Sequence, residues 1–448
     1  MKKLLLFSLF IFIVACSKDD DGNFVAPIAH SFTITFDENY ENLNAEGALI
    51  TLVNKEDGKT YTGTSDTNGI VSLEVIPGVY NVNVSLRFSS EDYLEFSGLE
   101  SEGDVNFNAS MESISISAES ETSTEITLVT GRIGNLLIKQ VYYAGSDVRL
   151  GALYRDQFFE IHNNSNETIY LDGIYFAQIY GEASTSSEIE PFQLPNGQLD
   201  WSKSVGQTDS ENANTAYVYS DEVIRFPGTG EEYPLLSGRS IIVAATAINH
   251  KAPLVVTDDE GEEVVYEVPE PERTIDLSKA PFEAYYRPYQ ESQGSSYLDS
   301  DIDNPNSANM EIAFKSYGGK DLILDTHGRD AFVIFEATTE SFDSWNALPS
   351  PETSFGEIDD DTNTYLQIPL DAIIDGVETQ RNDPSKAKPK RLPDAVDAGE
   401  IAGIKGFYSS ESVIRKVSKK VGERTFYQDT NNSSRDFEVL AHPEVIIE

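Results

Sequence analysis

The histidines of the chain are too far apart in sequence to form a catalytic or metal-binding motif. They are His30, His162, His250, His327 and His442. The chain has no His-Glu-x-x-His helix, no Gly-x-Ser-x-Gly nucleophile turn and no Gly-x-x-x-x-Gly-Lys phosphate loop. Its 76 Asp and Glu residues are so numerous that no pair stands out as the acid and base of a glycosidase. The sequence therefore predicts a protein that is not an enzyme.

Asp299, Asp301 and Asp303 are the residues whose spacing best suits a metal ion. Carboxylates at every second residue could direct oxygens at one Ca²⁺ ion. An EF-hand loop would instead have Gly at the position of Asn304 and Glu at that of Met310. We therefore expect no cofactor and a solvated acidic turn, with structural calcium as the alternative.

One short segment combines several aromatic side chains with an arginine. Its members are Tyr285, Tyr286, Arg287 and Tyr289. Exposed tyrosines can stack on the faces of sugar rings, and Tyr with Arg is also the composition of protein interfaces. We predict that this cluster contacts a partner protein or a glycan. The alternative is that the rings cover the small core of their own loop.

Acidic residues dominate the charge of the chain. The 76 Asp and Glu residues against 32 Lys and Arg give a net charge of −44, which would repel a polymer of phosphates, so a nucleic acid partner is excluded. Hydrophobic residues make up 39% of the chain, enough to build a folded core. Basic residues concentrate at 386–391 and 415–424. They either neutralise acidic loops of the same protein or face the lipid surface of a membrane.

The only cysteine, Cys16, follows a short apolar stretch at residues 4–14. That stretch comes after two lysines and is too short to cross about 30 Å of hydrocarbon, so it is typical of a signal peptide. The motif Ile13-Val14-Ala15-Cys16 resembles the bacterial lipobox, which implies a lipid on Cys16. We expect residues 1–15 to be removed and the mature protein to be anchored in a membrane by its lipid.

The residues after Cys16 indicate on which side of the membrane the protein lies. Ser17-Lys18-Asp19-Asp20-Asp21 resembles the surface-export signal of Bacteroidota-type lipoproteins. We expect residues 16–27 to form a flexible tether and the protein to face outward from the outer membrane. The alternative is that this run is only a solvated linker.

Residues 28–130 alternate apolar and polar side chains with the period of a β-strand, as in Phe32-Thr33-Ile34-Thr35-Phe36. Turn signals such as Asp57-Gly58 separate the segments and predict a small β-sandwich. The domain resembles the carboxypeptidase-regulatory, transthyretin-like sandwich. The resemblance rests on three segments in order, residues 48–53, 64–69 and 76–80. It implies a spacer domain without chemistry.

Residues 134–448 resemble a lamin-tail domain, which implies an immunoglobulin-like β-sandwich. The resemblance rests on three segments in order, residues 156–173, 235–244 and 412–437. Because these segments are spread far more widely than in a lamin tail, we expect long insertions near 174–234 and 251–331. We expect the insertions to be exposed loops that carry any new function.

The sequence as a whole predicts an all-β protein with two β-sandwich domains in tandem. It resembles an uncharacterised family of Bacteroidota-type surface lipoproteins. Such lipoproteins often accompany TonB-dependent transporters, so the resemblance implies a non-catalytic binding or accessory module with an outer-membrane protein as its partner. The alternative is a cell-surface lipoprotein that binds or processes glycans, with a polysaccharide as its ligand.

Overall fold

The computed structural model describes most of the chain between residues 26 and 446. The described residues are 26–36, 43–97, 105–117, 123–131, 136–147, 149–152, 155–165, 167–181, 190–257, 261–316, 318–352, 358–359, 362–422 and 424–446. The predicted signal peptide, the lipid-bearing Cys16 and most of the predicted tether lie outside the described residues. Residues 132–135, at the predicted domain boundary, also lie outside them.

The first sheet is built from strands within residues 28–131. They are β1 (Ile28–Phe36), β2 (Leu49–Asn54), β3 (Thr60–Thr64), β4 (Ile70–Val75), β5 (Gly78–Phe88), β6 (Val105–Ile116) and β7 (Ser123–Gly131). Their spatial order is β3-β2-β5-β6-β7-β1-β4, and β1 runs parallel to β7. Burial alternates along β1, as its period-two pattern predicts. The inward side chains form one core that includes Phe32, Ile50 and Phe107.

The remaining strands lie between residues 136 and 440. They are β8 (Leu136–Tyr142), β9 (Phe158–Asn163), β10 (Ile169–Tyr170), β11 (Ile174–Ile179), β12 (Tyr217–Arg225), β13 (Pro234–Leu235), β14 (Ser240–Ala244), β15 (Leu254–Thr257), β16 (Glu263–Tyr266), β17 (Phe282–Glu283), β18 (Ala308–Asn309), β19 (Glu311–Lys315), β20 (Ala331–Glu336), β21 (Ala347–Pro349), β22 (Thr364–Pro369), β23 (Ile373–Gln380), β24 (Ile401–Ala402), β25 (Ser412–Arg415), β26 (Val417–Val421), β27 (Arg424–Tyr427) and β28 (Phe437–Leu440).

Two large sheets of these strands pack face to face. The larger has the order β21-β22-β12-β11-β20-β23-β24, with β19 also paired to β12, and the smaller has the order β18-β17-β14-β9-β8-β25-β28. One core joins them: Phe159 of β9 stacks on Phe176 of β11 with ring centres 3.7 Å apart. The prediction of an all-β, sandwich-type fold is therefore confirmed.

The segment 174–234, predicted to be an insertion of exposed loops, supplies central strands of the larger sheet. It contains β11 and β12, which pair with each other. Every residue of β11 is buried because its side chains alternate between two cores. Phe176 faces the core between the sheets, and Tyr175 faces a second core on the outer side of the larger sheet. The prediction was wrong because a strand covered on both faces shows no alternation of polarity.

Helices are few and short in the described part of the chain. They are α1 (Ser90–Ser97), α2 (Arg287–Ser292), α3 (Thr339–Ser344) and α4 (Ser433–Asp436), with 3-10 turns at Glu190–Phe192, Trp201–Lys203, Pro271–Arg273, Leu370–Ala372 and Pro384–Lys386. Phe342 of α3 helps to cover the second core. Among the described residues, no helix has the length and apolar character needed to span a membrane.

A buried arginine fastens the two large sheets together. Arg415 of β25 is 2% exposed, and its guanidinium donates to both carboxylate oxygens of Asp375 in β23, at 2.9 and 2.7 Å. Its Nη1 also lies 3.3 Å from Asp429 and 3.5 Å from Asp436. Asp375 additionally accepts the backbone N–H of Ile138 at 2.7 Å. This network pairs three charged residues of segment 412–437, Arg415, Asp429 and Asp436, within the protein.

The loop between β27 and α4, which contains Asp429, contacts the first sheet. Asn106 and Asn108 of β6 donate side-chain hydrogen bonds to the carbonyl oxygens of Asp429, at 3.1 Å, and Thr430, at 2.9 Å. Arg435 in α4 donates to the hydroxyl of Ser85. The first sheet therefore packs against the end of the sandwich that Arg415 holds together.

Candidate functional site

Tyr286, in the middle of the predicted aromatic cluster, is a core residue. Its side chain has no exposed surface, and its hydroxyl donates a hydrogen bond to Oε1 of Glu222 in β12. Its backbone N–H donates to Oδ2 of Asp301 at 2.8 Å. The prediction that this ring contacts a glycan or a partner protein is therefore wrong. Tyr286 follows β17 into the space between the sheets, where a large ring with a satisfied hydroxyl stabilises the core.

The other members of the cluster lie nearer the surface. Tyr285, Arg287 and Tyr289 are each half-buried. The guanidinium carbon of Arg287 lies 4.0 Å from the ring centre of Tyr297, and its Nε donates to Glu291 at 3.0 Å. Arg287 therefore makes its contacts within the protein. A role of these three residues in binding stays a prediction.

The three aspartates considered for calcium have different surroundings. Asp301 is buried, and burial raises the pKa of its carboxyl to about 7. Asp303 is exposed and accepts a hydrogen bond from Asn309 at 2.9 Å, while Asp299 is exposed two residues before Asp301. Within the part of the chain that the structure describes, no group of three or more His, Cys, Asp or Glu side chains could hold a metal ion. Asp301 acts as an internal hydrogen-bond acceptor.

The basic residues at 386–391 are largely paired within the protein. Lys390 is 7% exposed, and its Nζ donates to Asp394 at 2.9 Å and to the carbonyl oxygen of Asp397 at 2.6 Å. Arg391 forms a buried ion pair with Glu378 at 2.5 Å. These contacts favour neutralisation of acidic residues of the same protein over contact with a lipid surface.

A small hairpin exposes several apolar side chains in the described part of residues 136–446. It consists of β15 and β16, which pair with each other and with no other strand in the described part of the chain. Val255 and Val265 are cross-strand partners and are 48% and 50% exposed, and Tyr266 is 56% exposed. A contiguous exposed apolar patch is a candidate contact site.

A cavity of about 570 Å³ lies beneath this hairpin. The side chains of the hairpin that line it, here called its roof, are Leu254, Val256, Val264, Val265 and Tyr266. The rest of its lining, here called its floor, includes Arg155 and His250. Burial lowers the pKa of His250, so its imidazole is neutral near pH 7, and its Nε2 lies 2.9 Å from the carbonyl oxygen of Thr246. The hairpin cavity therefore combines an apolar roof with a polar floor, the usual composition of a binding pocket.

The hairpin was not identified from the sequence because it lies in the segment 251–331, which was predicted to be an insertion. The available signal was the pair of apolar runs Leu254-Val255-Val256 and Val264-Val265, separated by an acidic stretch of sequence that contains Gly261. An exposed apolar hairpin and a buried one share this pattern, so exposure could be seen only in the structure.

Comparisons with known proteins identify a similar fold and give no information about an activity. Residues 237–444 match a family described as "Protein of unknown function (DUF4876)". A crystal structure of a DUF4876 family protein from Bacteroides thetaiotaomicron is similar over 92% of this chain and 95% of that chain, with 24% identity and a TM-score of 0.52. These two findings support an uncharacterised family of the Bacteroidota type and the same overall fold.

Two other comparisons add no functional information. The structure of fervidolysin from Fervidobacterium pennivorans, a keratinolytic enzyme related to subtilisin, matches 35% of this chain and 20% of that chain, with 12% identity and a TM-score of 0.18. That score is too low to support an argument. No curated protein matches the chain.

Proposed function

We propose that the protein is a non-catalytic lipoprotein of the outer membrane that docks onto a partner protein through the β15–β16 hairpin. The observation that carries the proposal is the cross-strand pair Val255 and Val265, which are about half exposed above the hairpin cavity. In the proposal, a lipid on Cys16 and the tether at 16–27 hold the protein at the cell surface.

The backbone of the hairpin favours an extended partner segment. Each hairpin strand pairs with the other along one edge, and among the described residues no further strand pairs with the opposite edges. Such an edge presents unpaired backbone N–H and C=O groups to a strand from another chain. A two-stranded hairpin is also only marginally stable alone, so a third strand would stabilise it.

The side chains of the hairpin favour an apolar partner. Burying Val255, Val265 and Tyr266 removes apolar surface from water, at roughly 25 cal/mol for each Å². The hairpin cavity can take a side chain of the partner between its apolar roof and Arg155. The partner that fits is therefore an outer-membrane protein with an extended apolar segment, and by the sequence resemblance a TonB-dependent transporter is the leading class.

A substitution in the hairpin tests this proposal. We would purify the native lipidated protein and its Val265→Asp variant from outer membranes in mild detergent and quantify the bound proteins by mass spectrometry. Val265→Asp is expected to lower the amount of one near-stoichiometric partner at least tenfold, because a carboxylate would be buried at the interface. Leu94→Asp, at a position 45% exposed on α1, is the matched control and should retain the partner. The proposal would be contradicted if the native protein purifies without a near-stoichiometric partner. It would also be contradicted if both variants lose the partner to the same extent.

A further inference from the structure

A polar basin lies on the outer face of the smaller sheet, at a different place from the hairpin cavity. The basin has a volume of about 420 Å³. It is lined by Lys139, Glu160, His162, Arg239, Arg424 and Tyr427, together with small residues of segment 237–240 and with Ile446. β26 and β27 form a second hairpin that covers one side of it and contributes Arg424 and Tyr427.

The β26–β27 hairpin is held in place by hydrogen bonds to the loop after β9. The backbone N–H of Tyr427 donates to Oδ1 of Asn164 at 3.0 Å, and Arg424 donates to the carbonyl oxygen of Asn164 at 3.0 Å. His162 Nε2 lies 3.2 Å from the carbonyl oxygen of Thr425. The wall of the basin is therefore fixed by contacts other than those to a ligand, as expected of a preformed site.

Glu160 lines the basin and is 1% exposed. Its Oε1 accepts a hydrogen bond from Lys139 Nζ at 2.7 Å, whereas its Oε2 has no hydrogen-bond partner among the described residues. Burial raises the pKa of Glu160, while Lys139 and the nearby Ser240 hydroxyl act to lower it; that hydroxyl makes its own hydrogen bond with Nδ1 of His162, at 2.9 Å. A buried acceptor without a donor costs free energy, so a hydroxyl group of a ligand would stabilise this oxygen.

Two arginines line the basin of a protein that is strongly acidic as a whole. The lining of the basin has Lys139, which is paired with Glu160, together with Arg239 and Arg424, and Glu444 lies near enough to act on Glu160. Burial lowers the pKa of His162 to about 4, so that its ring is neutral near pH 7. The whole chain has a net charge of −44. The guanidinium groups of Arg239 and Arg424 favour a ligand with an anionic group.

The basin also offers apolar contacts. The ring of Tyr427 packs edge-on against His162 with ring centres 4.7 Å apart, and Ile446 is 55% exposed at the rim. The ligand that fits these features carries a hydroxyl donor for Glu160, an anionic group for the arginines and C–H groups for Tyr427. A sugar ring with a carboxylate has all three.

We propose that the basin binds a uronic acid residue of a polysaccharide, with its carboxylate toward Arg239 and Arg424 and a ring hydroxyl donating to Oε2 of Glu160. This site goes beyond the proposed protein docking, because it shares no lining residue with the hairpin cavity. It also replaces the Tyr286 region as the place where a glycan would bind.

Calorimetric titration of the full-length protein tests the proposal. The probes are an oligogalacturonide, a neutral galactose oligomer of the same length, tri-glutamate and inorganic sulfate. The oligogalacturonide is expected to bind at least tenfold more tightly than the other three. Arg239→Ala is expected to weaken its binding at least tenfold, because the exposed guanidinium is lost.

Two further variants make the result specific. Arg149→Ala removes an exposed arginine that does not line the basin and should bind like the parent. Glu160→Gln should weaken binding, but because it also breaks the buried ion pair with Lys139 it is expected to lower the melting temperature, so Arg239→Ala decides. The proposal is overturned if the parent does not bind the oligogalacturonide, if the neutral oligomer, tri-glutamate or sulfate binds as tightly, or if Arg149→Ala and Arg239→Ala lose binding equally.

Discussion

The hydroxyl of Tyr286 donates a hydrogen bond to Oε1 of Glu222 inside the sandwich. Tyr286 follows β17 of the smaller sheet, and Glu222 belongs to β12 of the larger sheet. Lys315 Nζ lies 3.5 Å from the same carboxylate oxygen. The bond therefore connects the two sheets, and the most aromatic segment of the chain contributes to the core at this residue.

Tyr286→Phe is expected to destabilise the protein by about 1–3 kcal/mol, because it removes a hydrogen bond to a buried carboxylate and leaves the ring in place. The free energy of unfolding in urea measures this effect. Tyr285→Phe changes a half-buried neighbour and should cost much less. Equal stability of the Tyr286→Phe variant and the parent would show that the bond does not hold the sheets together.

Arg415→Met should destabilise the protein more than any exposed substitution. It leaves the carboxylates of Asp375, Asp429 and Asp436 buried without their shared cation, and breaking a buried ion pair in this way costs about 3–5 kcal/mol. Thermal unfolding followed by circular dichroism measures the loss. Arg287→Met, whose ion pair with Glu291 is largely exposed, is the control and should destabilise the protein far less. A similar loss in both variants would contradict this role of Arg415.

The stability of the protein is expected to fall as the pH rises from about 4 to about 7. Burial raises the pKa of Asp301 and of Asp221 to about 7 in the folded protein, from an ordinary value of 3.8. Within this window the folded state holds protons that the unfolded state has released, so raising the pH favours unfolding. Melting temperatures between pH 4 and pH 8 test this expectation. A melting temperature that rises across the window would contradict it.

Asp301→Asn tests whether this pH dependence comes from the interior. The variant removes the buried charge and should flatten the slope, with a melting temperature a few degrees above the parent at pH 8. Asp299→Asn removes the same charge from an exposed position and controls for the net charge. Equal effects of the two variants would assign the pH dependence to surface repulsion.

The sequence predicted the all-β fold because alternation and turn residues are local signals. It placed strands such as Phe32-Thr33-Ile34-Thr35-Phe36 correctly within β1. It failed at β11, whose two faces are both covered, since a strand between two cores has no polar side. Side chains of β11 alternate between two cores, and both cores are formed by segments that are distant in sequence. A local sequence pattern contains no information about such contacts.

The candidate sites were less predictable than the fold. A dense run of tyrosines gives no indication of which ring faces the core, and the acceptor of the buried Tyr286 hydroxyl, Glu222, lies on the distant strand β12. Glu160 and Lys139 stand on strands whose pattern is apolar, and only the packing of a distant hairpin makes them line a basin. Arg415 could be recognised as part of a motif, but its three carboxylate partners required the tertiary structure.

Site-specific photo-crosslinking in intact cells tests the central claim, docking through the β15–β16 hairpin, most directly. A photoreactive amino acid would replace Tyr266 in one strain and Phe407 in another, two aromatic residues that are 56% and 55% exposed. The account predicts that the Tyr266 position crosslinks to one outer-membrane protein in high yield and that the Phe407 position does not. Equal crosslinking at both positions, or none at Tyr266, would contradict docking through the hairpin.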